Sequence, residues 1–348
     1  MKAIVLKGKG LIEYQDVPEP ECAPDEIKVK IAYAGICGSD PKIIEGAAPV
    51  IPDGAIGRNQ KFTGMLSDKL PVLGHEASGT IVQIGKNIKG DFKVGQHVAM
   101  NFRRACGGCY YCSNGMEHFC ERIAVCSGTM AEYTVFKEGM VFPLPDDLPL
   151  EYGALLEPLA IAVHTIDIAK VKIGDSVIIT GGGSIGLLAL QLAVRSGAAK
   201  VLVSEPIAEK RKVAKLLGAD VVVDPLKEDL LEIANKLTDD RGFNVCIEAS
   251  GAPAVARQLI LLAENCGHIV WVASYPGGLD IGVPIDYMFS RELSIHSVKI
   301  SQYAFPRSAQ ILPKLNLKPM ITVYPLQDAI KALKDYKKGH GIKILLQP

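Results

Sequence analysis

Four cysteines within a short stretch of the chain have the spacing of a metal site: Cys106, Cys109, Cys112 and Cys120. Thiolates suit Zn²⁺, and four of them complete its tetrahedral shell. A complete shell leaves no position for a substrate, so we expect a structural zinc that ties down a loop. The alternative is a loop of free thiols. His118 could compete as a ligand, but the cysteines suffice without it.

A second stretch has the composition of a phosphate-binding turn. It contains the pattern G-x-G-x-x-G, after a predicted strand at 177–180 and before a predicted helix. Glycines there permit a tight turn and let the backbone approach a pyrophosphate, which the helix N-terminus attracts. We therefore expect this turn to bind a nicotinamide dinucleotide. The contributing residues are Gly181, Gly183, Ser184, Ile185 and Gly186.

Glu205 ends the next predicted strand, 19 residues after Gly186. An acidic side chain at this position can accept hydrogen bonds from the adenosine ribose hydroxyls and repels the 2′-phosphate of NADP. This favours NAD and makes NADP the alternative, because Lys210 and Arg211 lie nearby and could meet a phosphate. Glu205 could also be an ordinary loop carboxylate.

A third set of residues is dispersed along the chain and is weak when each residue is taken singly. A lone cysteine is more often a small buried hydrophobe than a ligand. The set comprises Cys37, Ser39 and Asp40 in one short run, the adjacent pair His75 and Glu76, and Glu157 in a Leu-Glu-Pro run.

Together, these motifs and their order closely resemble the zinc-containing medium-chain alcohol and polyol dehydrogenases. The resemblance covers essentially the whole chain and is strongest to sorbitol, threonine and 2,3-butanediol dehydrogenases. It implies a zinc- and NAD-dependent oxidoreductase acting on a secondary alcohol, diol or polyol, assembled as a homodimer or homotetramer. The alternatives are an NADP-preferring ketone or aldehyde reductase and a non-catalytic NAD-binding protein.

The resemblance also implies a ligand set for a catalytic zinc. Cys37 and His75 are ligands, and the third is Glu76 or Glu157, the latter directly or through water. Charge counting supports one glutamate, since a thiolate and a carboxylate neutralise Zn²⁺ and leave an open position. The metal would lower the pKa of a bound alcohol, whose carbon gives a hydride to the nicotinamide.

Three further residues are expected near this zinc. By resemblance, Ser39 takes the alcohol proton and Asp40 orients His75. Lys42 occupies the position where the family usually has a histidine that ends the proton relay. It either serves that relay or is an exposed lysine with no role.

Two other departures from the family lie where substrate is expected. An insert between Cys37 and His75 includes Arg58, Asn59 and Lys61. It either lines a pocket near the active-site mouth or forms a solvated loop or subunit contact. Ile300 stands where sorbitol dehydrogenases place an arginine, which weakens sorbitol as the substrate.

The elements that position these residues follow from hydrophobic patterning. Short apolar runs between Gly and Pro in the first third predict an all-β module. After about Glu157, strands alternate with helices, which predicts a doubly wound parallel sheet. We expect a GroES-like β-barrel catalytic domain at 1–157, a Rossmann NAD-binding domain at 158–294 and a return segment at 295–348 that completes the first domain.

Composition excludes several other classes of function. The 348 residues include 38 Lys plus Arg and 38 Asp plus Glu, so a polyanionic partner such as nucleic acid is not indicated. The chain has no apolar run long enough to span a bilayer and no signal-peptide core at the N-terminus. We therefore expect a cytoplasmic enzyme with a small-molecule substrate.

Overall fold

The computed structural model describes residues 1–46, 71–275 and 280–348. Contacts divide the chain into two compact units. The β unit combines the described residues up to Pro158 with Phe305–Pro348, and the α/β unit extends from Leu159 to Ala304. The expected insert around Arg58, Asn59 and Lys61 lies outside the described residues. Among the described residues, no helix is long and apolar enough to cross a membrane.

The first part of the β unit consists of short strands joined by turns and single helical turns. Its strands are β1 Lys2–Gly8, β2 Leu11–Asp16, β3 Glu26–Gly35, β4 Glu76–Ile84, β5 His97–Met100, β6 Arg103–Arg104, β7 Ala124–Val125, β8 Tyr133–Lys137 and β9 Val141–Pro143. Its helices are α1 Asp40–Ile44, α2 Tyr110–Ser113, α3 Leu150–Gly153 and α4 Leu156–Ala169, the last continuing into the α/β unit.

The α/β unit alternates strands and helices. Its elements are β10 Ser176–Thr180, α5 Ser184–Arg195, β11 Lys200–Ser204, α6 Ala208–Leu216, β12 Val221–Val223, α7 Leu230–Thr238, β13 Phe243–Glu248, α8 Pro253–Leu262, β14 Ala263–Trp271, α9 Ile285–Ser290 and β15 Ser294–Ser297. The six strands are parallel in the order β12-β11-β10-β13-β14-β15. The order reverses at β10 and β13, the place where such sheets bind ligands.

The return segment completes the sheet of the β unit. It contains α10 Phe305–Ile311, β16 Ile321–Pro325, α11 Ala329–Lys337 and β17 Lys343–Gln347. The sheet order is β16-β17-β3-β4-β5-β9, with β8 also paired to β3. Strand β17 pairs antiparallel with the end of β3, and β3 pairs antiparallel with β4. Three distant parts of the sequence therefore meet side by side.

The predicted fold class, a Rossmann sheet plus a GroES-like β domain, is confirmed. The α/β unit extends to Ala304 and contains β15, whereas the sequence placed the second boundary at 294/295. That boundary falls within β15. This last strand pairs with β14, so it belongs to the parallel sheet of the α/β unit. Helix α4 was not predicted. Most of its residues are buried, so it has no polar stripe to create a helical period.

The close pairing of β3 and β4 gives a test of this packing. A Cβ at Gly79 would overlap the carbonyl oxygen of Lys30 on the neighbouring strand. We expect Gly79→Ala to destabilise the protein by about 1–3 kcal/mol, because backbone cannot yield as a flexible side chain would. Thermal and urea denaturation measure the change. Gly8→Ala is the matched control, since a Cβ at Gly8 meets no atom within 4 Å. Equal changes in the two variants would contradict the pairing.

Candidate metal centres and dinucleotide site

The four clustered cysteines converge as the sequence predicts. Cys109 begins and Cys112 lies within the single turn of α2, while the flanking loops supply Cys106 and Cys120. The Cys109 and Cys112 sulfurs are 3.5 Å apart, and other S···S separations are 3.9 and 4.0 Å. A tetrahedral shell with Zn–S bonds of about 2.3 Å has S···S edges of about 3.8 Å. The geometry fits Zn²⁺.

The electrostatics of this cluster also fit a cation. The backbone N–H of Gly108, more than any other group, lowers the pKa of the Cys106 thiol to about 6. Burial raises the pKa of Cys112 to about 12. Crowded sulfurs with such opposed pKa values cannot all ionise without a compensating positive charge. His118 lies on the adjacent 3₁₀ turn and is not one of the four grouped ligands.

A second group of metal-ligand atoms forms where β3, β4 and the start of α1 meet. Ligand atoms of Cys37, His75 and Glu76 all lie within 4.8 Å of one another. Cys37 follows the end of β3, and His75 and Glu76 lie at the start of β4. Interior desolvation, followed by the negative charges of Glu76 and Asp40, raises the pKa of the Cys37 thiol. A dication beside that sulfur would have the opposite effect.

Asp40 contacts two of the three candidate ligand residues, Cys37 and His75. Its Oδ2 accepts the backbone N–H of Cys37 at 2.8 Å, and its Oδ1 faces Nδ1 of His75 at 3.6 Å. This leaves Nε2 as the His75 nitrogen for a metal. Phe102 packs edge-on against the imidazole, with ring centroids 5.0 Å apart. Asp40 and Phe102 therefore both lie close to the imidazole.

Sequence reasoning missed a buried lysine at this site. Lys343, the first residue of β17, contacts the Glu76 carboxylate directly and donates to the carbonyl oxygen of Ile36 at 3.1 Å. The side chains of Lys343 and Glu76 are 1% and 2% exposed, so this is a buried ion pair. Burial alone would lower the pKa of Lys343, but Glu76 and then Cys37 oppose it, and the net effect raises that pKa.

Gly35 makes room for this ion pair. It lies opposite Glu76 in the β3–β4 ladder, and a Cβ there would overlap the carboxylate and stand 2.8 Å from Cε of Lys343. The only sequence signal was a lysine at the start of an otherwise apolar strand, a pattern normally typical of a solvent-exposed end. The sequence-based charge balance of the zinc site counted a thiolate and a carboxylate against Zn²⁺, and it did not include the positive charge of Lys343.

Glu157 is buried at the start of α4. Burial, followed by the charge of Glu76, raises its pKa to about 7. Its Oε2 has no hydrogen-bond partner among the described residues. Unlike Glu76, it is not part of the set whose ligand atoms all lie within 4.8 Å of one another. A buried carboxylate oxygen without a donor is the kind of atom that a metal or a metal-bound water would satisfy.

Ser39 and Lys42 lie on the same short segment as Asp40. Ser39 is the N-cap residue of α1, and its Oγ is buried with no hydrogen-bond partner among the described residues. Lys42 lies in the last turn of α1 and is half-buried. Their assigned roles stay predictions.

The glycine-rich turn between β10 and α5 has the tight geometry that its sequence predicts. Gly181 has φ +96°, and a Cβ there would stand 2.8 Å from the backbone of Ala249. Gly183 is the N-cap residue of α5 and has open space where a Cβ would point. Ser184 and Ile185 begin α5, and Gly186 has no room for a Cβ beside the Gly181 carbonyl.

Glu205 holds this turn in place. Its Oε2 accepts the backbone N–H of Gly182 at 2.6 Å, and its Oε1 accepts that of Ile207 at 2.9 Å. Lys210 also packs beside Gly182. Arg211 is already engaged, since it donates to the Glu205 carbonyl oxygen at 2.7 Å and pairs with Asp224 at 3.0 Å. The expectation that Arg211 could meet a phosphate is therefore not supported by its position.

Besides Lys343, sequence reasoning missed Glu248, a buried carboxylate at the end of β13. Glu248 accepts the backbone N–H groups of Ser250 at 2.7 Å and Gly251 at 3.1 Å. It also accepts the hydroxyls of Ser250 and Tyr275. The loop that closes over Gly181 is thus fixed by one side chain.

Comparison with known proteins identifies the family to which this chain belongs. The family model "Alcohol dehydrogenase GroES-like domain" matches residues 23–146, and "Zinc-binding dehydrogenase" matches 184–314. An L-threonine 3-dehydrogenase of Pyrococcus horikoshii is 34% identical over 90% of this chain and 87% of its own length. Sorbitol dehydrogenase of Homo sapiens is 32% identical over 99% and 95% of the two chains. The chain belongs to the zinc-containing medium-chain alcohol and polyol dehydrogenases.

A solved structure supports the same assignment. A zinc-binding dehydrogenase of Sinorhizobium meliloti, determined with bound NADP, has a TM-score of 0.89 and 30% identity, covering 100% of this chain and 99% of that one. The chain is a zinc- and NAD(P)-dependent dehydrogenase that acts on CH–OH groups of small alcohols or polyols.

The cysteine cluster gives a prediction about metal content. Cys112→Ser removes one of four thiolates, so we expect bound zinc to fall from two ions per chain to one and the melting temperature to drop. Elemental analysis after dialysis, with thermal denaturation, measures both. Cys126→Ser is the control, because Cys126 is half-buried in the same unit and outside both metal groups. Retention of two zinc ions by Cys112→Ser would show that the cluster is not a metal site.

The buried ion pair gives a second prediction. Lys343→Met leaves the Glu76 carboxylate without its cation, which we expect to cost about 3–5 kcal/mol in zinc-stripped protein. Added Zn²⁺ should raise the melting temperature of this variant more than that of the wild type, because the metal restores positive charge. Denaturation before and after reloading tests both statements.

The control for this experiment is an exposed ion pair in the same unit. Lys337→Met removes the partner of Glu45, and both of those side chains are about half exposed. It should destabilise the protein much less than Lys343→Met does, because solvent screens an exposed pair. If Lys343→Met and Lys337→Met behave alike, with or without zinc, Lys343 does not compensate the Glu76 charge.

Proposed function

We propose that this protein is an NAD-dependent zinc dehydrogenase of a secondary alcohol, diol or polyol. The observation that carries the proposal is the convergence of Cys37, His75 and Glu76 ligand atoms within 4.8 Å at a buried point of the β unit. A thiolate, an imidazole and a carboxylate are the donor set of an open zinc site rather than a closed one.

The roles at this site follow from the contacts. Cys37, His75 and Glu76 hold the zinc, and when bound it supplies Lewis-acid activation of the substrate oxygen. Glu76 keeps one oxygen on Lys343 and has the other for the metal. Glu157 contacts the zinc through a water molecule in this proposal. It is not one of the three residues whose ligand atoms converge, yet one of its buried oxygens has no donor among the described residues.

Ser39 is the proposed acceptor of the substrate proton. Its buried Oγ has no hydrogen-bond partner among the described residues, so it is available to a substrate hydroxyl. It lies between Cys37 and Asp40, the residue that orients His75. Lys42, three residues further along, stays a candidate for passing the proton towards solvent.

The α/β unit supports NAD rather than NADP. The Glu205 carboxylate beside the turn carries the charge that repels a 2′-phosphate. The nearest arginine, Arg211, is already paired with Asp224. We propose that the adenosine ribose is bound by Glu205 and the pyrophosphate by the turn Gly181–Gly186.

Substrate class and assembly extend the proposal. Ile300 replaces the arginine expected in a sorbitol dehydrogenase and adopts φ +59°, which is strained for a β-branched residue. This supports a substrate other than sorbitol among diols and polyols. Assembly as a homodimer or homotetramer stays a prediction from the family.

Two assays test the proposed function. A panel of diols, polyols, sugar phosphates and hydroxy acids should produce NADH, with NADP a much poorer acceptor. On the best substrate, Ser39→Ala should lower kcat/KM by roughly 100-fold or more, because the proton loses its acceptor.

The control is Ser290→Ala, an exposed serine at the end of α9, which should leave kcat/KM within about twofold. Oxidation of no alcohol in the panel, or a clear preference for NADP, would contradict the proposal. A Ser39→Ala variant as active as Ser290→Ala would remove Ser39 from the proton path.

A further inference from the structure

An ion pair joins α6 to the residue that follows β12, and the proposed preference for NAD leaves the role of its acidic partner open. One guanidinium N–H group of Arg211, in α6, donates a hydrogen bond to the Glu205 carbonyl oxygen at 2.7 Å. Its other terminal nitrogen lies 3.0 Å from Oδ2 of Asp224, which directly follows β12. The two side chains are 16% and 7% exposed.

Asp224 is itself held in place by its surroundings. Its Oδ1 accepts the backbone N–H of Leu226 at 3.2 Å, and its own N–H donates to Glu228 at 2.7 Å. Lys227 approaches Oδ2 only at 3.9 Å and is largely exposed. Arg211 is thus the main cation facing a fixed, mostly buried carboxylate. Such a pair is much harder to break than an exposed one, because separation leaves a charge without compensation.

The position of this pair bears on cofactor choice. In parallel sheets of this kind, the acidic residue after the second strand meets the ribose 2′-hydroxyl, and an arginine nearby accommodates the 2′-phosphate of NADP. Here the acidic residue is Glu205, and the arginine six residues later is committed to Asp224. Discrimination therefore needs two parts: a carboxylate that repels phosphate and a cation that is withheld from it.

We propose that Asp224 is a specificity-determining residue for the dinucleotide, acting by holding Arg211 away from the 2′-phosphate. The inference rests on the proposed function only in taking the turn Gly181–Gly186 as the dinucleotide site. Asp224 acts through Arg211, so we assign it the role of a positioning residue. Its removal frees a guanidinium in the part of the site where NADP carries its additional charge.

The test measures binding rather than turnover. Dissociation constants for NADH and NADPH are obtained from nucleotide fluorescence on the wild type and Asp224→Asn. Asparagine keeps an acceptor for the Leu226 N–H and loses only the charge that holds Arg211. We expect Asp224→Asn to bind NADPH roughly 10-fold more tightly, since a charge-assisted contact to phosphate is gained, with NADH affinity within about twofold.

Three further variants isolate the mechanism. Glu209→Gln removes one negative charge from α6, the helix that carries Arg211. Glu209 forms an exposed ion pair with Lys212 instead of contacting Arg211. This substitution should leave the NADPH affinity nearly unchanged. Asp224→Asn combined with Arg211→Met should lose the gain. Arg211→Met alone should leave NADPH binding within about twofold, because Arg211 does not serve phosphate in the wild type.

Each contrary result has a definite meaning. The proposal is wrong if Asp224→Asn gains nothing, if Glu209→Gln gains as much, if the gain survives the loss of Arg211, or if Arg211→Met alone weakens NADPH binding several-fold. Wild-type protein that binds neither nucleotide would instead contradict the proposed function. Wild-type binding of NADH without the Asp224→Asn gain would overturn this inference alone.

Discussion

The β unit is organised around carboxylates that are buried away from solvent. Glu76, Asp40 and Glu157 are carboxylates in its interior, and each must find a cation, a donor or a metal. Lys343 meets Glu76, and Asp40 accepts a backbone N–H while facing His75. Glu157 keeps an oxygen without a donor. The excess negative charge that remains favours the dication that we propose at this point.

Satisfying these charges requires the register of three strands. Gly35 ends β3, Glu76 begins β4 and Lys343 begins β17, and the antiparallel ladders place them side by side. A shift of one residue in either ladder would turn a charged group to the opposite face of the sheet. The return segment therefore contributes Lys343 to the proposed metal centre, although Lys343 lies 267 positions after Glu76 in the sequence.

The α/β unit uses carboxylates in a different way. Glu205 follows β11 and Glu248 ends β13, the two strands that flank β10, and each accepts backbone N–H groups of nearby loops. These contacts fix the turn at Gly181 and the loop that packs against it, so the backbone of the proposed dinucleotide site is preformed. Glu205, which we propose to bind the ribose, therefore also holds the glycine-rich turn in place.

Local spacing in the sequence determined the cysteine cluster, the glycine-rich turn and the alternation of strands and helices, because each depends on residues close together along the chain. The family resemblance indicated Cys37 and His75 as ligands, but it left Glu76 and Glu157 as alternatives for the third. The tertiary structure separates those two glutamates and adds Lys343 and Asp224. Spacing cannot show which distant charges pair, since pairing depends on strand register and burial. For the same reason Arg211 looked available in the sequence and is committed in the fold.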